Sequence, residues 1–289
     1  MDRGVRAPHL TPTKLWEWPT ILSLDAPLIA VLWQALFAQV FGVSPAWYHL
    51  VLLAAPVWLV YSADRLFDGW QRGPGDAPTR RHHFYTVHRR EVVWVWLGVL
   101  AGSLLTAALT LRVDELMGGL LVLGATLGYF ARLHLLPASS FAVPKEVQVA
   151  LLFGAGVALF ILPDLSRTLP WAVSFTSALA LFTSLCALNC GFISYWEREG
   201  EAERRTSLLR YPNLRRWLQR AALGLAWSSL LSTLIFPDTL PLCGSVAGSA
   251  LVLFELERMK LGAAALRVLG DAALLTPAPV LLILWLLQS

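Results

Sequence analysis

The stretch from Val57 to Arg90 reads VWLVYSADRLFDGWQRGPGDAPTRRHHFYTVHRR. It begins as an apolar helix and ends with two carboxylates, Asp64 and Asp68, whose four-residue spacing places them on one helical face. Tyr61 lies three residues before Asp64, on the same face. The basic loop that follows contains Arg72, Arg80, Arg81, His82, His83, His88, Arg89 and Arg90. Two carboxylates next to a basic loop, at the end of an apolar helix, indicate a site for a metal-bound phosphate.

The composition around this stretch is that of a membrane protein. The chain has 289 residues, of which 56% are hydrophobic and 15% charged, whereas about a quarter of the residues in a soluble protein are charged. The segments 28–60 and 171–195 contain no Asp, Glu, Lys or Arg. Since about 20 apolar residues cross a bilayer, we expect an all-α, polytopic membrane protein.

Apolar length and breaker residues predict about nine transmembrane helices. The predicted spans are 20–42, 46–65, 91–110, 115–131, 147–163, 170–195, 217–236, 240–256 and 264–286. Residues 1–19 are expected to form a cytoplasmic N-terminal segment, and residues 20–289 a single transmembrane domain.

The distribution of basic residues predicts the orientation. All of the 23 Lys and Arg residues except Arg112 and Arg167 fall in the N-terminal segment, in the links after spans two, four, six and eight, or at the span ends beside these links. Such asymmetry places the N-terminus and these links in the cytoplasm and, with nine spans, the C-terminus on the outer side. The same asymmetry accounts for the net charge of +4, so we expect a lipid bilayer and no nucleic acid as partner.

Two interpretations of Asp64 and Asp68 are open. In one, both carboxylates bind Mg²⁺, which commonly takes one or two carboxylates together with substrate phosphates. In the other, the helix simply emerges into water and the aspartates pair with Arg65 or Arg72.

A second acidic region ends the sixth predicted span, where residues 189–203 read NCGFISYWEREGEAE. Asn189 and Glu197 are two helical turns apart, and Ser194 lies three residues before Glu197, so these side chains are spaced to face one cavity. The three later acids more simply form a solvated turn with the neighbouring arginines.

Other polar residues near the bilayer also admit two interpretations each. Asp25 and Asp271 lie near prolines within apolar segments, where an acid serves function or structural pairing. Lys145 follows Pro144 at the start of the fifth span, where a cation either reaches a phosphate or extends to the interface. The cysteines Cys186, Cys190 and Cys243 are expected to be packed in apolar helices.

Taken together, these residues resemble the UbiA-type intramembrane prenyltransferase superfamily. The resemblance implies nine helices around a central cavity, with two acidic motifs ending the second and sixth helices. Asp64 and Asp68 match the first motif, Asn189 and Glu197 fall at the second, and Lys145 is similar to the basic residue that opens the fifth helix. The chain departs from the pattern at Val60, where the family usually has Asn, and at Asn189 and Ile193, where the second motif is usually richer in Asp.

The activity implied by the resemblance is a Mg²⁺-dependent transfer from a prenyl diphosphate to an acceptor that the sequence does not identify. It assigns catalysis and metal binding to Asp64, Asp68, Asn189 and Glu197, and substrate binding to Tyr61, Arg72, Lys145, Tyr195 and Arg198. Two alternatives stay open: a terpene cyclase of the same type, and a non-catalytic lipid carrier or transporter.

Overall fold

In the computed structural model, the described residues are 14–71, 80–135, 143–164, 169–197, 207–210 and 212–288, and every regular element in these ranges is helical. The all-α prediction is therefore confirmed for this part of the chain. The helices are α1 (Trp18–Ile21), α2 (Asp25–Val40), α3 (Trp47–Gln71), α4 (Arg80–Val87), α5 (Arg89–Thr110), α6 (Val113–Leu135), α7 (Lys145–Ala158), α8 (Leu169–Trp196), α9 (Leu214–Ile235), α10 (Leu240–Leu256), α11 (Ala263–Ala272) and α12 (Pro277–Gln288).

Six helical segments of the described residues are long and apolar enough to cross a membrane, and a seventh is added if α1 and α2 form one bent span. The six are Trp47–Phe67, Arg89–Thr110, Val113–Leu133, Pro170–Trp196, Pro237–Leu256 and Ala263–Gln288. The chain is thus a multi-pass membrane protein by the length and composition of its helices, but the predicted count of about nine spans is not confirmed.

The three remaining predicted spans differ from the others for separate physical reasons. The first is broken, with an 80° bend between Leu15–Ile21 and Asp25–Val40. The fifth corresponds to α7, whose 14 residues are too few to cross a bilayer. The seventh corresponds to α9, which has 22 residues but carries arginines in its first two turns, at Arg215, Arg216 and Arg220.

Several spans expose apolar side chains that a soluble protein would bury. In the most apolar 18-residue stretch of α5 only 6% is buried, and in the corresponding stretch of α6 nothing is buried. Leu109 in α5 and Leu121 in α6, for example, are more than 70% exposed. Continuous apolar exposure of this extent marks a surface that contacts lipid rather than water.

The chain divides into two compact units, the first of which contains Met1–Leu28 and Trp47–Leu111. Buried polar side chains of this unit lie around the break between α1 and α2, where Ser23 has a φ of 57°. The buried Arg65 donates from Nε to Ser23 Oγ at 2.9 Å, and Trp58 Nε1 donates to Leu22 O at 3.0 Å. The Tyr85 hydroxyl lies 3.2 Å from Ser23 Oγ. The Trp58 bond satisfies a backbone carbonyl at the break, and the other two contacts hold the side chain of Ser23.

The second unit contains Ile29–Ala46 and Arg112–Ser289. Its apolar core joins α2 to α8 through aromatic rings: Trp33 stacks on Phe182 with centroids 4.5 Å apart, and Phe37 meets Phe175 edge-on at 5.7 Å. Trp33 Nε1 also donates to Leu274 O at 2.9 Å, which connects α2 to the chain just before α12. This packing fixes α8, the helix that carries the second predicted motif.

Candidate functional site

A cluster of four polar side chains lies between the C-terminal half of α8 and α11, inside the second unit. Arg267 Nη1 donates to Glu197 Oε2 at 2.8 Å, and Arg267 Nε lies 4.0 Å from Asp271 Oδ2. Asn189 Nδ2 donates to Asp271 Oδ1 at 3.3 Å. The side chains of Arg267, Asp271 and Glu197 are only 13%, 14% and 24% exposed. We refer to these four residues as the Arg267 cluster.

Helical spacing on both elements produces the Arg267 cluster. Arg267 and Asp271 are one turn apart on α11. Glu197 directly follows α8 and its N–H bonds to Ile193 O at 2.9 Å, so it continues the last turn two turns after Asn189, and each pair lies on one helical face. Gly270 allows the two helices to approach closely. A Cβ atom added there would lie 2.9 Å from Trp196 Cζ3 and 3.4 Å from Asn189 Oδ1.

One oxygen of the Arg267 cluster is buried without a hydrogen-bond partner. Asn189 is 5% exposed, and its amide nitrogen is used by Asp271, but its Oδ1 accepts no hydrogen bond. Leaving such an acceptor unsatisfied costs about 1–3 kcal/mol, so buried groups of this kind call for an explanation. An oxygen kept in this state next to the carboxylate of Asp271 is suited to bind a ligand.

The N-terminus of α7 belongs to the same electrostatic environment. The thiol of Cys190, adjacent to Asn189, lies within electrostatic range of Arg267 and Asp271 on α11 and of Lys145 and Glu146 in the first turn of α7. Lys145 is half-buried and follows Pro144, the N-cap of α7. The first turn of α7 therefore lies near Cys190 on α8.

Two buried carboxylates hold the helices that surround the Arg267 cluster. Glu257, at the end of α10, accepts from Trp196 Nε1 at 2.5 Å and from Arg215 Nε at 2.6 Å. Glu146 accepts hydrogen bonds from the Ser207 hydroxyl and from the backbone N–H of Leu208, the latter at 3.0 Å. The first joins the ends of α8, α9 and α10, and the second anchors the start of α7. The positions of Asn189 and Glu197 thus depend on contacts well outside the acidic motif.

The first predicted motif lies in the other unit. α3 extends through positions 64 and 68 to Gln71, so the two aspartates are one turn apart on a single helix. Tyr61 and Asp64 are half-buried. The side chain of Asp68 and all of Arg72 lie outside the described residues, so their proposed roles stay predictions from the sequence.

The structure also places Tyr195, Lys145 and Asp271, which the sequence singled out. Tyr195 and Lys145 are half-buried in the second unit, and Arg198 lies outside the described residues. Asp271, for which the sequence left two interpretations open, is part of the Arg267 cluster. Arg267 was missed by the sequence reasoning, which counted it only as a basic residue of the eighth link. Its position four residues before Asp271 in an apolar segment was the signal that would have found it.

The oxygen atoms of the Arg267 cluster match the donors that Mg²⁺ prefers. The described ranges contain no group of three or more His, Cys, Asp or Glu side chains that could hold a metal ion. The cluster instead has two carboxylates, from Glu197 and Asp271, and the unpartnered amide oxygen of Asn189. Carboxylate and amide oxygens are suitable ligands for a hard cation that also keeps waters and substrate phosphates. The residues therefore fit the predicted ion in donor type, with Arg267 as a competing cation.

A central cavity, which the sequence led us to expect, is not confirmed. One open groove of about 300 Å³ lies between α6 and α7 and is lined by Ala125, Gly128, Tyr129, Arg132, Gln148, Leu151 and Leu152. None of the predicted site residues lines it. The chain matches no protein-family model, no curated protein and no solved structure.

Proposed function

We propose that the protein is a Mg²⁺-dependent intramembrane prenyltransferase, which transfers an isoprenoid group from a prenyl diphosphate to an acceptor. The observation that carries this proposal is the Arg267 cluster, where a guanidinium, two carboxylates and an unpartnered buried oxygen meet at the polar end of a membrane helix. Ionisable groups at such a depth are costly and are commonly found at functional sites.

The site contains both positively and negatively charged side chains, which suits a complex of Mg²⁺ with a diphosphate. Arg267 and Lys145 would bind phosphate oxygens, since guanidinium groups match phosphate geometry and lysine contributes a point charge. Asn189, Glu197 and Asp271 would hold Mg²⁺, which neutralises the charge that develops on the leaving diphosphate. Asp64 and Asp68 enter the proposal through their resemblance to the first acidic motif of the UbiA-type superfamily.

In the proposed reaction the bond between the isoprenoid carbon and the diphosphate oxygen breaks, and both bonding electrons leave with the diphosphate. The basic side chains lower the barrier because they stabilise charge that is larger in the transition state than in the substrate. The allylic cation that remains is stabilised by aromatic faces, for which Tyr195, two residues before Glu197, is the candidate in the second unit. The acceptor forms a bond to this cation and releases a proton, which completes the transfer. In the terpene cyclase alternative, the cation reacts instead with a double bond of the same isoprenoid.

The membrane environment supports a lipid-like substrate. The helices that carry the Arg267 cluster, α8 and α11, belong to candidate membrane spans. A substrate with an apolar tail and a charged head would place its tail among the spans and its diphosphate at their polar end. The same arrangement favours a prenyl donor over a soluble nucleotide.

A lipid or ion carrier is the second candidate, because a largely buried Arg–carboxylate network also suits a path for protons or ions. Purified protein in detergent, incubated with Mg²⁺ and radiolabelled prenyl diphosphates of several chain lengths, separates the two. Release of inorganic diphosphate that stops in EDTA supports the enzyme. Binding of the prenyl diphosphate without release of diphosphate would contradict the enzyme and favour the carrier.

A further inference from the structure

We infer that Arg267 is an internal counter-ion that takes the place of Mg²⁺ in the ligand-free site and is transferred to the diphosphate when metal and substrate bind together. The inference rests on the proposed function, since it concerns the same site and the same ligands. Its consequence is a binding rule: neither Mg²⁺ nor diphosphate binds well without the other.

The contacts of Arg267 support the first half of this inference. Its guanidinium is 2.8 Å from Glu197 and 4.0 Å from Asp271, so one cation already serves both carboxylates that would bind the metal. Two carboxylates therefore share this one guanidinium. Like charges that are largely buried repel strongly, so the ligand-free cluster requires Arg267 where it is.

The same contacts explain why Mg²⁺ alone is excluded. The metal must displace Arg267 from Glu197, and the largely buried guanidinium would then lose the 2.8 Å ion pair that offsets its burial. Diphosphate alone faces the reverse difficulty. It needs a guanidinium that is engaged with Glu197, and it brings further negative charge next to the carboxylates of Glu197 and Asp271.

Binding of both ligands resolves both difficulties. Glu197, Asp271 and the unpartnered Oδ1 of Asn189 become available to the metal, and Arg267 pairs with phosphate oxygens instead. Each ligand therefore raises the affinity for the other by the same factor, as linkage requires. Couplings of this kind typically amount to about 5- to 150-fold.

Titration of the purified full-length protein with Mn²⁺, as a spectroscopic substitute for Mg²⁺, tests the inference with inorganic pyrophosphate as the second ligand. In the parent protein we expect Mn²⁺ to bind at least about fivefold more tightly when pyrophosphate is present. In Arg267→Gln we expect Mn²⁺ alone to bind more tightly than in the parent, and pyrophosphate no longer to strengthen it. Arg258→Gln is the matched control, because Arg258 is an exposed arginine that pairs with the exposed Glu255; it should behave as the parent.

Arg267→Lys keeps the test decisive if Arg267→Gln does not fold. Lysine preserves the positive charge, so Mn²⁺ alone should still bind weakly, but the coupling with pyrophosphate should fall because the planar fork is lost. Equal Mn²⁺ affinity in the parent and Arg267→Gln, or undiminished coupling in Arg267→Lys, would overturn the inference. The proposed function is tested by a separate outcome. If Mn²⁺ and pyrophosphate strengthen each other's binding but no prenyl diphosphate is turned over, only the proposed enzymatic activity is contradicted. If a prenyl diphosphate is turned over but the two ligands bind independently, only the counter-ion role of Arg267 is contradicted.

Discussion

Gly270→Ala is the most informative test of how the Arg267 cluster is built, because two effects of opposite sign compete at this position. Replacing glycine by alanine in a helix stabilises it by about 0.5–1 kcal/mol. At Gly270, however, the new methyl group would lie 2.9 Å from Trp196 Cζ3 and 3.4 Å from Asn189 Oδ1. Trp196 is held by Glu257, so it has little freedom to retreat.

We therefore expect the clash to dominate. Overpacking in a well-packed region costs about 1–3 kcal/mol, which leaves a net loss of up to about 2.5 kcal/mol once the helix preference is subtracted. Gly244→Ala is the matched control: Gly244 lies inside α10, and a Cβ atom there meets nothing within 4 Å. That variant should be more stable than the parent by about 0.5–1 kcal/mol.

Thermal unfolding of both variants in the same detergent, at one scan rate, measures the difference. A change of 1 kcal/mol corresponds to about 2–4 °C in a protein of roughly this size. Gly244→Ala should melt above the parent and Gly270→Ala below it, with weaker binding of Mg²⁺ and pyrophosphate in the latter. Equal stabilisation in the two variants would refute the close contact between α8 and α11.

Three further predictions concern other parts of the chain. Glu146→Gln should lower stability by about 1–3 kcal/mol, because a charged acceptor of two hydrogen bonds is lost; thermal unfolding measures it, and an unchanged melting temperature contradicts it. Burial raises the pKa of Tyr85, so the contribution of its neutral hydroxyl to the free energy of unfolding is fully present below about pH 10 and should be lost above it. In unfolding scans at a series of pH values, Tyr85→Phe should show a smaller loss of stability above about pH 10 than the parent. Asp64→Asn should abolish most turnover in the diphosphate-release assay, and full activity in the folded variant would remove Asp64 from the site.

The helices were predictable from the sequence because their signals are local. The apolar segments and breaker residues placed most helix ends within a few residues, as in the eighth predicted span, 240–256, which matches α10. The span count was less predictable, since α7 begins as predicted at its proline but ends after 14 residues. Apolar sequence continues beyond that end, so hydropathy alone does not reveal it.

The site was predictable only in part, because its pairings join residues distant in sequence. Asn189 and Glu197 were found from their spacing on one helix, and both lie in the Arg267 cluster. Their partners on α11 are 70 to 82 residues away, and no local pattern connects the two helices. Glu257 was missed for the same reason, since it ties Trp196 to Arg215 from a third helix.

The central claim is that the Arg267 cluster acts as a unit on a prenyl diphosphate. A double-mutant cycle of Glu197→Gln and Asp271→Asn tests it most directly, with Mg²⁺-dependent diphosphate release measured for each variant that matches the parent in size-exclusion profile. Each single change should abolish most activity, and the double variant should lose little more, because groups that act together are not additive. Glu255→Gln, which alters an exposed acid on α10, should retain the parent's activity. Full activity in either folded single variant would contradict the claim.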